Sequence, residues 1–278
     1  MIDFSENLAD LADYAFHSAQ KRCLDCHGYH ALWGYERLSG VNSNDVRTDA
    51  DILEPLLCTH LPPKGRILIA GAADAGLLAY VAQALSSVAP RISVADRCAT
   101  PLVVCERYAE THDLPVKTVL ADLTKSRLEL TCDLAFVHNT LLLQSSNLHA
   151  VFLRNIRHAL TPDGTLVLVH RVRPINAKVS RLPPGLYADR ILNALIARNV
   201  VLPESRADFL VRLEALANTK HAWFNAVAGL PDVEAAFAEA GLRVEQRIDH
   251  ERRRTIPDRD GGEAISMPTY IFVARRRE

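Results

Sequence analysis

The apolar residues Leu8, Leu11, Ala12, Ala15, Phe16 and Ala19 return every three or four positions, the spacing of one helical face, and predict a helix over residues 3 to 20. Residues 23 to 38 are crowded with Tyr29, His30, Trp33 and Tyr35, and a polar loop at 39 to 44 separates them from a short helix at 49 to 58. Leu61-Pro62-Pro63-Lys64-Gly65 then punctuates the chain, and the rhythm changes. Short apolar runs at 66–70, 91–95, 116–120, 132–137 and 165–170 predict strands. Helical stretches ending near 85, running from 100 to 112 and from 147 to 160, lie between them. Thr100-Pro101 reads as an N-cap with proline at the first helical position, and Thr161-Pro162-Asp163-Gly164 reads as a turn. Strands and helices alternating at this spacing predict an α/β domain with a mainly parallel sheet.

After Arg173 the alternation stops. Helices near 187–199 and 206–216 suggest a helical insertion at about 174–230, followed by a helix at 232–240 stopped by Gly241. Strands at 243–248 and 269–274 close the pattern, and the intervening loop at 255–268, with Gly261-Gly262, is expected to be mobile. The chain thus divides into a helical cap at 1–64 and an α/β domain at 65–278.

Composition narrows the function. The 278 residues carry a formal charge of −1 with both signs interspersed, so no general field attracts a nucleic-acid backbone. No apolar run approaches the roughly 18 to 20 residues that cross a bilayer. The opening MIDFSENLADLADY is acidic and unlike a secretory leader, so a cytoplasmic location is expected. In that compartment the six cysteines remain thiols. Nothing in the sequence indicates an oligomeric state.

In open α/β sheets ligands bind beyond the carboxyl ends of the strands. Here the first strand ends in small residues, Gly71, Ala72 and Ala73, which let a ligand approach the backbone. The second ends in Asp96, twenty-five residues after Gly71, where a carboxylate can accept both hydroxyls of a ribose. The third ends in Asp122, able to accept from a purine's exocyclic amine, and the fourth in His138-Asn139, where a reacting centre would lie. Each aspartate could equally be a turn or helix cap. The turn G-A-A-D-A-G lacks the dinucleotide fingerprint, and Asp74 would repel a phosphate, so an uncharged or cationic adenosine derivative fits better than NAD.

ILIAGAADAG, SVADRC, LADL, CDLAFVHN and LTPDGTLVLVHRV resemble motifs of the class I S-adenosylmethionine-dependent methyltransferases, over residues 65 to 170 and again in the two closing strands. The resemblance implies a Rossmann-like α/β sheet of seven strands with the last antiparallel; the N-terminal helices and the helical insertion after strand five would form its lid and acceptor pocket. It implies S-adenosylmethionine as cofactor, with Gly71, Ala72 and Ala73 under its methionine part. Asp96 and the adjoining Arg97 would meet the ribose, and Asp122 with Leu123 would surround the adenine. The chain departs from the family in having Ile69-Ala70 where an acidic residue usually precedes the glycine loop, and Ala73 and Ala75 in place of glycines. Another group must then hold the cofactor's ammonium or carboxylate.

The N-terminal segment offers candidates. Tyr29, Trp33 and Tyr35 could face a sulfonium, since an aromatic face attracts a desolvated cation by about 0.5–2 kcal/mol, or could simply pack the cap on the sheet. Arg37 could pair with the methionine carboxylate. Cys23, Cys26, His27 and His30 fall on one face if this stretch is helical; a metal there is strained and lacks further ligands, so packing is expected and no metal is assigned. His170, with Arg171 and Arg173, could supply a general base or a strand-end polar group. The expected activity is methyl transfer to a small-molecule acceptor, with Asn139 and His138 orienting the reacting group and Tyr29 touching it. Two alternatives stand beside it. In one, the cofactor cyclises to azetidine-2-carboxylate with release of methylthioadenosine, as in the azetidine-2-carboxylate synthases of this superfamily; in the other, the protein binds cofactor without catalysis.

Overall fold

The computed structural model describes residues 8–23, 26, 28–41, 46–172, 183–225, 228–252 and 267–277. Residues 255–266 of the loop expected to be mobile, His27 and Arg173 lie outside these residues, while Met267 and Pro268 open a strand instead. Helix α1 (Leu8–Arg22) buries Leu11, Ala12, Ala15, Phe16 and Ala19, the predicted stripe. Helix α2 (Tyr29–Ser39) lies between two glycines in the left-handed region, Gly28 (φ 74°) and Gly40 (φ 70°). The two helices cross closely at Gly34, where a Cβ would stand 2.7 Å from that of Ala12. A single 3-10 turn (Val46–Asp49) leads into α3 (Ala50–His60).

The alternating part follows as β1 (Arg66–Ala70), α4 (Gly76–Ala84), β2 (Arg91–Asp96), α5 (Ala99–Thr111), β3 (Val116–Leu120) and β4 (Cys132–His138). Helix α6 (His149–Ala159) and β5 (Leu160–Arg171) come next. Helices α7 (Pro184–Ala197), α8 (Arg206–Asn225) and α9 (Leu230–Glu239) precede β6 (Leu242–Arg252) and β7 (Met267–Arg276). The seven strands lie in the order β3-β2-β1-β4-β5-β7-β6, with β7 antiparallel to both neighbours and the other pairs parallel. The order reverses between β1 and β4, which opens a crevice at their carboxyl ends.

Strand alternation assigns the two faces. Ile67, Ile69, Val94, Phe136 and Val169 join the cluster that packs on α3, α4 and α5, while Leu68, Ala135, Val137, Leu168 and Phe272 join the one that packs on α6 and α9. A third cluster lies over the strand ends: Phe16, Leu32, Trp33 and Tyr35 pack against Ile191 and Leu195 of α7 and Phe209 of α8. Tyr35 meets the Phe209 ring edge-on at 5.1 Å. The insertion after strand five and the N-terminal helices therefore share one apolar interior.

Three local readings change. Cys98, extended at φ −109° and ψ 134°, caps α5, so Pro101 falls at the third helical position, where its missing N–H is still one of the first turn's unpaired donors. Residues 161–164 do loop, but inside β5: its register with β4 steps from Cys132↔Leu160 to Leu134↔Thr165, leaving four residues opposite Asp133. Helix α8 continues well past the expected 216 to Asn225. Among the described residues, no helix is long and apolar enough to cross a membrane.

Candidate active site at the strand ends

Gly71 leaves β1 with φ 86°, and its amide donates to the Ala95 carbonyl at 2.8 Å. A Cβ here would stand 2.4 Å from two atoms of the Thr140 side chain, which is fixed by its own 3.0 Å bond to the Ala70 carbonyl. Both the dihedral and the contact demand glycine. Gly71→Ala is expected to lower stability by about 2–4 kcal/mol, from backbone strain plus overpacking, as read by urea denaturation.

That turn presents its backbone to Asp96. The carboxylate accepts the Ala72 amide on Oδ2 (3.0 Å) and the Cys98 amide on Oδ1 (2.7 Å), so both oxygens are oriented and each keeps lone pairs for a ligand. Burial pushes its pKa above the ordinary range, against the pull of His30 and the two amides. Arg97 is exposed beside it. Asp122 serves its own turn: Oδ1 accepts from the amide (2.9 Å) and hydroxyl (2.6 Å) of Thr124, and Oδ2 pairs with Lys125 at 3.1 Å. Leu123 is buried, and its carbonyl accepts from Asn155 at 2.8 Å. Arg37 reaches from α2 to Asp74 at 2.5 Å, so its charge neutralises the carboxylate that opens α4. The sequence reading had given this arginine to a cofactor carboxylate.

Asn139 takes φ 58° at the end of β4, and its Oδ1 is buried without a hydrogen-bond partner among the described residues. Its Nδ2 lies 3.4 Å from His138 Nδ1, while His138 Nε2 faces Asp49 Oδ2 at 3.7 Å. Asp49 is fully buried, and its Oδ1 lies 3.4 Å from His250 Nε2, so one carboxylate faces two imidazoles. His170 is elsewhere. It alternates with Leu166 and Leu168, turns to the α6 face and meets His149 edge-on at 5.9 Å.

Neither ring nitrogen of His170 has a hydrogen-bond partner among the described residues, and burial drives its pKa from 6.5 to about 3. A neutral imidazole at that depth is not a base for the crevice. The unfolded chain binds a proton near pH 6.5 that the folded chain refuses until about 3, so this residue's contribution is complete above pH 6.5 and lost as pH falls. His170→Met should flatten the acid side of the stability–pH curve between these values in urea melts at stepped pH.

Sequence reasoning missed the contacts that join cap and insertion. Glu36, fully buried on α2, accepts from Lys220 Nζ of α8 and from the Tyr187 hydroxyl of α7 at 3.2 Å. Tyr29 and Trp33 stack at 5.1 Å, and the Lys220 ammonium stands 5.5 and 4.9 Å from their ring centres. Burial and the nearby carboxylates of Glu36, Asp74 and Asp96 raise the Tyr29 hydroxyl far above its usual range. Tyr29 and Trp33 thus already hold a cation, whereas Tyr35 packs against Phe16 and Phe209.

The cysteine-rich segment departs from its reading. Helix α1 ends at Arg22 and α2 begins at Tyr29, so Cys23, Cys26 and His30 share no helical face. They converge instead on Cys98, a further ligand distant in the sequence.

No family model and no curated protein matches the sequence. Solved structures do. The [4+2]-cyclase SpnF aligns over 90% of this chain and 93% of its own, with a TM-score of 0.57 at 15% identity. An S-adenosylmethionine-dependent methyltransferase from Methanosarcina mazei aligns over 81% and 98%, with a TM-score of 0.51 at 13% identity. The mitomycin 7-O-methyltransferase MmcR aligns over 88% of this chain, which spans 57% of that protein, with a TM-score of 0.51 at 14% identity. The chain has the fold of the class I S-adenosylmethionine-dependent methyltransferases.

Proposed function

We propose that this chain binds S-adenosylmethionine across the ends of β1, β2, β3 and β4 and transfers its methyl group to a small-molecule acceptor. The observation that carries the reading is Asp96, whose half-buried carboxylate is fixed by two backbone amides beside the Gly71 turn at the switch in strand order. Its lone pairs would take the two ribose hydroxyls. Ala72 and Ala73 would underlie the methionine part, Leu123 would wall the adenine, and Arg97 would remain at the rim. Asp122, already engaged with Thr124 and Lys125, would contribute its turn more than its charge.

Tyr29 and Trp33 would face the sulfonium, because rings that accept an ammonium accept that cation for the same electrostatic reason. Catalysis would consist of holding the acceptor in line with the methyl–sulfur bond while the joined cap and insertion exclude water. The open acceptor on Asn139 Oδ1 would orient a donor on the substrate, and His138, facing Asp49, would take its proton. MmcR, an O-methyltransferase of a natural product, supports a small-molecule acceptor, and SpnF places a cyclase on the same fold.

Incubation of the protein with S-adenosylmethionine alone, followed by mass spectrometry and calorimetric titration, tests this reading. Cofactor bound and unchanged is expected. Methylthioadenosine with a cyclic amino acid would replace methyl transfer by intramolecular cyclisation, which the aromatic wall could equally serve. The absence of binding would remove both.

A further inference from the structure

Cys23 follows α1, Cys26 and His30 flank the left-handed Gly28, and Cys98 sits at the end of β2 two residues beyond Asp96. Their four ligand atoms lie within 4.8 Å of one another. Cys23 Sγ is 3.3 Å from Cys98 Sγ and 3.6 Å from His30 Nδ1. Around a tetrahedral zinc, with bonds of about 2.3 Å to sulfur and 2.0–2.1 Å to nitrogen, such pairs stand about 3.8 and 3.6 Å apart. The set is therefore already near the size of one ion and too tight for a polynuclear cluster. None of these cysteines is joined in a disulfide, and a disulfide would use two sulfurs and leave a third thiol and an imidazole unexplained.

The Thr100 hydroxyl lies 3.0 Å from the Cys23 sulfur. Cys98 caps α5, whose N-terminal dipole attracts negative charge. Cys26, His30 and Cys98 are buried and Cys23 partly so.

We propose that Cys23, Cys26, His30 and Cys98 bind one zinc ion that fastens the turn between α1 and α2 to the strand end carrying Asp96. Three thiolates and an imidazole complete a tetrahedral shell and leave no position for substrate, so the ion is structural. Because the Cys98 amide also donates to Asp96, the ion orders the proposed ribose site, and this second consequence rests on the cofactor reading given above.

The test begins with the full chain purified under reducing conditions in medium supplied with zinc. Elemental analysis is expected to find one zinc per chain, released by a strong chelator together with a fall in melting temperature. Cobalt substitution should give the intense visible bands of tetrahedral thiolate coordination. Cys98→Ser should abolish stoichiometric binding. Thr100→Val, which keeps all four ligands, should weaken zinc affinity by about 10- to 100-fold, so the proposal stays testable if the serine variant fails to fold. A protein without stoichiometric metal, whose Cys23, Cys26 and Cys98 alkylate equally with and without added zinc, overturns it, as does a disulfide among them. Metal content is read without S-adenosylmethionine, so zinc without cofactor binding sinks the functional reading alone, and cofactor binding without zinc sinks only this one.

Discussion

Glu36→Ala is expected to destabilise the protein by about 3–5 kcal/mol, because removing one partner of a buried ion pair strands the other charge. Glu36 is fully buried, and Lys220 is one-tenth exposed. Losing the carboxylate leaves the Lys220 ammonium with the faces of Tyr29 and Trp33 and costs the Tyr187 hydroxyl its acceptor. The double substitution Glu36→Leu with Lys220→Met should recover much of the loss, since apolar groups of similar volume need no compensating charge. Urea denaturation of Glu36→Leu, Lys220→Met and the double variant measures the coupling. Additive losses would show that the pair does not hold α2 to α8.

Asp96→Ala is expected to weaken S-adenosylmethionine binding by about a hundredfold, the loss of two hydrogen bonds to a charged acceptor at about 1.5 kcal/mol each. The same change strands the amides of Ala72 and Cys98, so stability must be measured alongside affinity. A folded variant that binds with unchanged affinity in calorimetry would remove Asp96 from the ribose site and with it the main support for the proposed function.

What could be read in the sequence follows from range. The strand at 66–70 and the placement of Asp96 at a strand end come from short local apolar runs, which are read without any distant partner. Asn139 and His138 were legible for the same reason. Their partners were not. Asp49 meets His138 and His250 only because a 3-10 turn of the cap lies against the carboxyl ends of β4 and β6. Glu36 and Lys220 are separated by 184 positions, and no periodicity links a helix of the cap to one of the insertion. The histidine next to β5's end stays open between base and strand-end polar group in the sequence because a strand offers two faces; its parity, set by Leu166 and Leu168, sends it away from the crevice. At Cys23 to His30 the helical spacing was real but the helix was not: Gly28, at φ 74°, breaks it and lets the side chains gather.

The sheet order also sets when this protein can finish folding. β7 is the last strand in the chain, yet it lies between β5 and β6, bonded to β5 from Thr165↔Arg275 to Arg171↔Thr269 and to β6 along its other edge. Until residues near 270 leave the ribosome, β6 has no neighbour and β5 presents a bare apolar edge. At about 5–20 residues per second, that edge stays unpaired for several seconds of synthesis after β5 emerges, an interval in which the nascent chain is open to edge-to-edge aggregation.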